Sequence, residues 1–343
     1  MKKQIVGLLS AMVLLCAGTA IASDWNFYGS ARVSTFWEDS DLKDQVDFSE
    51  GLQENARIGA KVKVSDELTG RFEYGAKNDN ANIRLLYGAW NFGAGTLTVG
   101  QDYTPIYLPL SNQVWNDDKG LHGYGDPYPG RRAQVKLQFD GFQIAAIKPN
   151  TKYYDGTDLV DKKIQVVIPR IEVSYGINIS NNATFDIAGG YTTFEYNDDE
   201  DIDSYIIQAR GTWEAAGFKL GLVAFYGQNA GNLIECHTTG NADGEGYAKI
   251  DTLTGQVDDV DNYGGEIVAG YTFNDMFGVE AGFGYMQGEY DDADEDEVYA
   301  YYLQAPITLA PGVTITPEVG YIDYNESGQD EITYFGAKWQ INF

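Results

Sequence analysis

The chain has 343 residues and a formal charge of -28, with 51 acidic side chains against 23 basic ones. That balance excludes duplex nucleic acid as a partner, because a polyanion is repelled by a surface of the same sign. High charge can also mark disorder, yet 43% hydrophobic and 14% aromatic content supply ample apolar surface for an ordered fold.

At the start, Met1-Lys2-Lys3 forms a basic head, Ile5 to Ala17 an apolar stretch and Ala20-Ile21-Ala22 a small-x-small site. Residues 1–22 therefore read as a secretory signal peptide, and 23–343 as one mature domain beginning at Ser23. Cys16 falls in the removed segment, and Leu15 before it does not suit lipoprotein processing. Cys236 is then the remaining cysteine, so no intrachain disulfide is expected. After residue 22 no apolar run approaches the roughly eighteen residues of a spanning helix, so any membrane crossing falls to strands.

Alternating segments then follow one another without a helical period. The first eight lie at about 25–37, 52–64, 68–77, 82–92, 95–101, 131–140, 142–149 and 166–179. The second eight lie at about 183–196, 203–213, 218–228, 262–273, 277–288, 297–309, 313–324 and 331–343. Short connections such as Asp140-Gly141 and Ala310-Pro311-Gly312 alternate with long ones such as 102–130 and 229–261. Short turns on one side, long loops on the other and an even strand count predict an all-β fold, a transmembrane antiparallel barrel of about sixteen strands with an aqueous lumen.

Residue type orients each strand, because Arg or Lys facing lipid at mid-depth costs about 2–4 kcal/mol. Trp25, Phe27, Ala31, Val33 and Thr35 are expected to face lipid with Arg32 inside; Ile58, Ala60, Val62 and Val64 outside with Arg57, Lys61 and Lys63 inside. Phe72 and Tyr74 go out with Arg71 and Glu73 in, and Ile83, Leu85 and Tyr87 out with Arg84 in. Ala133, Val135, Leu137 and Phe139 go out, leaving Arg132, Gln134, Lys136 and Gln138 in. At the end of the chain Phe335, Ala337, Trp339, Ile341 and Phe343 share one face and Gly336, Lys338, Gln340 and Asn342 the other, the pattern of a closing barrel strand. Arg32, Arg57, Arg71, Arg84 and Arg132 thus converge on one lumen wall, or stand as scattered solvated charges.

The acidic residues gather in loops, at Asp198 to Asp201 with Asp203, at Asp258, Asp259 and Asp261, and from Asp291 to Glu297. They read as solvated loop tips or as clusters holding divalent cations at the cell surface. No Asp-x-Asp-x-Asp-Gly loop marks a dedicated metal site, and nothing calls for a cofactor.

The connection 102–130 exceeds any hairpin turn, and its Trp115, Tyr107, Tyr124, Tyr128 and four prolines argue that it packs. Folded inward, it carries Asp117 and Asp118 toward the arginines. Its flanks, Gly95-Thr-Leu-Thr-Val-Gly-Gln-Asp-Tyr-Thr-Pro105 and Arg131-Arg-Ala-Gln-Val-Lys-Leu-Gln-Phe-Asp-Gly-Phe142, resemble the constriction-loop region of Gram-negative general diffusion porins. With the signal peptide, strand count and terminal Phe343, the likeness covers nearly the whole chain. It implies a passive channel for small hydrophilic solutes, set in the outer membrane among lipid and lipopolysaccharide and assembled as a homotrimer. It also implies a third outer loop folded into the barrel, its carboxylates facing arginines on the opposite wall. On this resemblance Asp117 and Asp118 take the acidic side and Arg57, Arg84 and Arg132 the basic side, with Arg71 and Arg32 beside them. The family's Pro-Glu-Phe-Gly turn is missing, replaced by Leu121 to Gly130.

A substrate-selective channel for a sugar or an anion is the nearer rival, since Tyr28, Phe36 and Trp90 fall on or near inward parity and could form an aromatic track. An outer-membrane enzyme is the remote one. Only His122 and His237 could serve as a base, and neither stands near a serine in a recognisable arrangement.

Overall fold

The computed structural model describes residues 23–77, 80–161, 166–197, 200–238, 246–251, 254–290, 295–325 and 331–343. The predicted signal peptide, and Asp198, Asp199, Asp291, Asp292 and Asp294 of the acidic runs, lie outside the described residues. Sixteen antiparallel strands close into a barrel. They are β1 (Asp24–Ser40), β2 (Asp47–Leu52 and Arg57–Lys63), β3 (Leu68–Lys77), β4 (Asn80–Asn91), β5 (Thr96–Tyr103), β6 (Arg131–Phe139), β7 (Phe142–Ile147) and β8 (Arg170–Ser180). The second half is β9 (Ala183–Asn197), β10 (Glu200–Ala215), β11 (Phe218–Gln228), β12 (Val260–Thr272), β13 (Gly278–Tyr290), β14 (Asp296–Gln304 and Ile307–Ala310), β15 (Val313–Asp323) and β16 (Glu331–Asn342).

Closure joins the ends of the chain. β1 pairs with β16 from Ser30↔Asn342 to Ser40↔Ile332. The Gly29 N–H donates to the Phe343 carbonyl at 2.7 Å and the Phe343 N–H returns a bond at 3.0 Å. A Cβ on residue 29 would lie 2.5 Å from the Phe343 ring, so a larger residue there would push the terminal ring aside. Pairing around the whole cylinder leaves no open edge, which is what lets strands exist in lipid.

Alternation holds as expected over most of the wall. Trp25, Phe27, Ile58, Val99, Val135, Leu222, Ile267, Val319, Phe335, Trp339 and Ile341 all stand exposed on the outside. Short turns need positive φ, supplied by Gly141 at 71° and Gly312 at 81°.

β4 departs from the pattern. Ile83 faces out and Arg84 in, as expected, but Leu85 is buried inward, Tyr87 turns in toward Arg71, and Leu86 and Trp90 face out. A bulge opposite Glu73–Tyr74 puts one extra residue in β4, so the face reverses after Arg84. Trp90 therefore belongs to the outer surface. Phe36 packs edge-on to Tyr334 inside the barrel and Tyr28 bonds Glu73, so these three aromatics form no common track.

Outside the barrel, Lys152–Tyr154, Leu159–Asp161, Lys249–Ile250 and Val257–Asp258 make a small second sheet from two long loops. Its apolar residues Tyr153, Ala248 and Ile250 pack on Phe194 of β9 and Ile202 of β10.

Candidate functional site

The third outer loop, 104–130, runs around the inner wall instead of returning directly to β6. Inward-facing glutamates of three separate strands take up its backbone N–H groups. Glu172 on β8 accepts from Ile106 at 3.1 Å, Glu280 on β13 from Asn112 at 2.9 Å, and Glu318 on β15 from Val114 and Trp115 at 2.7 and 3.0 Å. Between these pegs Leu110 packs on Val223 and Val268, and its side chain occupies the space a Cβ would need at Gly221. Trp115 then stacks on Tyr334 with centroids 4.7 Å apart and donates through Nε1 to Glu38 at 2.8 Å. The amides of Ile106, Asn112, Val114 and Trp115 are thereby satisfied, as a loop crossing a lumen requires.

The tip lands where β2 is interrupted. Asn116, Asp117 and Asp118 have φ of 46°, 64° and 59°, a left-handed run that short Asn and Asp side chains tolerate best. Residues of the β2 gap hold it: the Glu54 N–H donates to Asp117 Oδ1 at 2.8 Å, and Asn55 Nδ2 donates to the Asp117 carbonyl and to Asp118 Oδ2, both at 2.8 Å. Asp118 also pairs with Arg32 on β1 and, at 2.9 Å, with Lys338 on β16. Burial pushes the Asp117 carboxyl above its ordinary range.

Beside the tip lies the basic wall, organised by Glu73. This buried carboxylate accepts from Arg84 at 2.8 Å, Arg71 at 3.1 Å, Arg57 at 3.4 Å and the Tyr28 hydroxyl at 2.8 Å. Arg131 donates to the Tyr103 hydroxyl at 3.1 Å and lies over its ring. Arg32, Arg57, Arg84, Arg131 and Lys338 line a polar cavity of about 650 Å³ together with Asp117 and Asp118. Arg132 is elsewhere: it donates to Asn150 at 3.1 Å and lines a second cavity of about 480 Å³ with Lys152 and His237.

The expected arginines thus divide into three settings. Arg57, Arg71 and Arg84 share Glu73, Arg32 meets the loop, and Arg132 faces the second cavity. Asp117 and Asp118 do not stand across the lumen from the arginines but dock against β1, β2 and β16, on the flank of the same wall. The physical reason is local: the left-handed run at Asn116–Asp118 and its bonds to Glu54 and Asn55 seat the tip in the β2 gap. The sequence reading missed the glutamate pegs, Arg131 and Lys119. Strand parity alone could have placed the pegs inward.

A closed barrel with polar interior, apolar exterior and a loop narrowing its bore defines an outer-membrane diffusion channel. The family model described as Gram-negative porin matches residues 9–327, and the chain belongs to that family. No curated protein matches it in sequence. Among solved structures it resembles the outer membrane channel DcaP of Acinetobacter baumannii (TM-score 0.74, 14% identity, 94% of this chain and 97% of that one). It also resembles OmpT of Vibrio cholerae (0.65, 15%, 94% and 98%) and an anion-selective porin of Comamonas acidovorans (0.61, 10%, 94% and 100%). The chain is an outer-membrane porin that forms a water-filled channel for passive diffusion of small hydrophilic solutes and ions.

Proposed function

We propose that the constriction is the polar cavity where the wall carrying Arg57, Arg71 and Arg84 meets the third-loop tip, with Asp117 and Asp118 seated on the flank of that wall, and that it favours small anions. The observation that carries this is the charge of the cavity lining: seven Arg and Lys side chains stand against four carboxylates, Glu54, Asp117, Asp118 and Glu235, while behind them three guanidinium groups share Glu73. The acidic outer loops pull the other way. Their charges are screened over about 8–10 Å at ordinary salt, whereas Arg84, with a side chain 6% exposed, is screened far less. Arg132 and Lys152 in the second cavity extend the positive lining toward the exterior.

Planar-bilayer reversal potentials in a salt gradient test the reading. An anion preference is expected, shifting toward cations in R57A and in the R57A/R84A double variant; unchanged potentials in both would overturn it. A solute-selective channel keeps one supporting observation, the Tyr103–Tyr107 stack at 4.3 Å bordering the cavity. Liposome swelling that saturates for one solute would favour that second reading.

The family and fold support a channel over an enzyme. His122 stacks on Tyr128 at 3.8 Å and His237 contacts Lys119 at 3.0 Å, which gives both a packing role. The exposed outer band suits lipid and lipopolysaccharide. A trimer form is described for Vibrio cholerae OmpT. Three copies of this chain associate likewise in our proposal, and cross-linking that stops at the monomer would rule that out.

A further inference from the structure

Among its described residues, the long loop after β11 reaches into the lumen at Glu235. Its first turn is pinned: the Arg170 guanidinium on β8 donates to the carbonyls of Asn232 and Leu233 at 3.0 and 2.7 Å, and the Asn232 side chain bonds both the N–H and the carbonyl of Lys152 at 3.0 Å. The chain then runs beside the third loop. The Glu235 N–H donates to the Tyr128 carbonyl at 3.0 Å and the His237 N–H to the Gly123 carbonyl at 3.1 Å. Cys236 between them turns away, its Sγ filling the space a Cβ would take at Gly246. The alternation leaves the Glu235 carboxylate 44% exposed, 3.1 Å from Lys119 Nζ and 3.8 Å from His237.

Glu235 and Tyr128 border both cavities. On one side stand Arg57, Arg84 and Arg131, on the other Arg132 and Lys152. We propose that the Lys119–Glu235 pair is a selectivity element at the junction of the two basic cavities, its carboxylate opposing and its ammonium aiding the passage of anions. This rests on the reading of the lumen as the ion path. While the pair is intact its charges offset each other; removing one partner exposes the other where the two cavities adjoin. Partial desolvation by the neighbouring loops works against ionisation of Glu235, but His237 and Lys119 outweigh it and hold the carboxyl below its ordinary range, so the carboxylate is charged at neutral pH.

The test compares E235Q, K119M and the double variant with wild type, by reversal potential in a potassium chloride gradient, on full-length protein folded in detergent. E235Q should raise the chloride-to-potassium permeability ratio by about threefold: one charge at roughly 6 Å through water acts about threefold on each ion in opposite directions, and salt screening roughly halves that energy. K119M should lower the ratio by a similar factor, and the double variant should return near wild type. A conducting E235Q and a conducting K119M that both keep the wild-type ratio would overturn this inference and leave the channel reading standing. Wild-type protein without conductance would overturn both. If E235Q fails to fold, K119M, which leaves the Glu235 backbone contacts intact, decides alone.

Discussion

Arg84 Nε donates to Glu73 Oε1 at 2.8 Å across the β3–β4 ladder, and the bulge in that ladder places the guanidinium there. The same carboxylate serves Arg57 and Arg71, so its removal leaves three positive groups without their common acceptor. Breaking a buried pair by deleting one partner costs about 3–5 kcal/mol. E73Q is therefore expected to melt earlier than wild type and to become more anion-selective. A thermal unfolding series read by circular dichroism, with reversal potentials on the folded fraction, checks both; a stable E73Q with unchanged selectivity would show that Glu73 is not the organising group.

The bulge also fixes which leucine meets lipid. Leu86 is 50% exposed and Leu85 only 2%. Single cysteines carrying a fluorophore at these two positions should respond oppositely to brominated lipids, with quenching at 86 and little at 85. Equal quenching would mean that β4 runs through without the extra residue.

Glu318 holds the outbound limb of the third loop just before its tip. It accepts from the Val114 and Trp115 amides, and leaving two buried donors unpaired costs about 1–3 kcal/mol each. E318A is expected to lower the unfolding midpoint and to give noisier single-channel currents as the loop loosens. Quiet, wild-type traces would place the anchor elsewhere, with Glu280 the next candidate.

Barrel architecture was legible because period two and the cost of a charge in lipid act at every strand. The outward set Trp25, Phe27, Ile58 and Val135 follows from those two rules. Leu85 and Tyr87 were misplaced because a bulge adds one residue without changing composition, and a single insertion reverses all that follows. The inward arginines were found for the same reason the strands were. Their partners were not: nothing local in the sequence says that Glu172, Glu280 and Glu318 accept from one loop, since those bonds join residues far apart in the chain. The seat of Asp117 and Asp118 depended on the β2 gap at Gln53 to Ala56, which reads in sequence as ordinary polar strand. Glu235 lay in a loop whose length gave no sign that it turns inward.

The third loop carries its own acid sensitivity in His122. Burial pushes this imidazole down to about 3, with Glu235 opposing the shift and Lys119 and Arg131 adding to it. Its ordinary value is 6.5, so between pH 6.5 and 3 the unfolded chain binds the proton that the folded loop excludes. Stability from this group is complete above pH 6.5 and falls as pH drops through that window, by at most about 1.4 kcal/mol per pH unit. Asp117 and Asp126 act in the opposite direction, because burial raises both carboxyls and lets the folded state hold their protons longer. H122F isolates the histidine while keeping an aromatic ring against Tyr128. Unfolding midpoints measured from pH 7 to pH 4 should show wild type losing ground steadily to H122F as the solution is acidified. Parallel curves would mean that the ring is open to water and protonates freely where it sits.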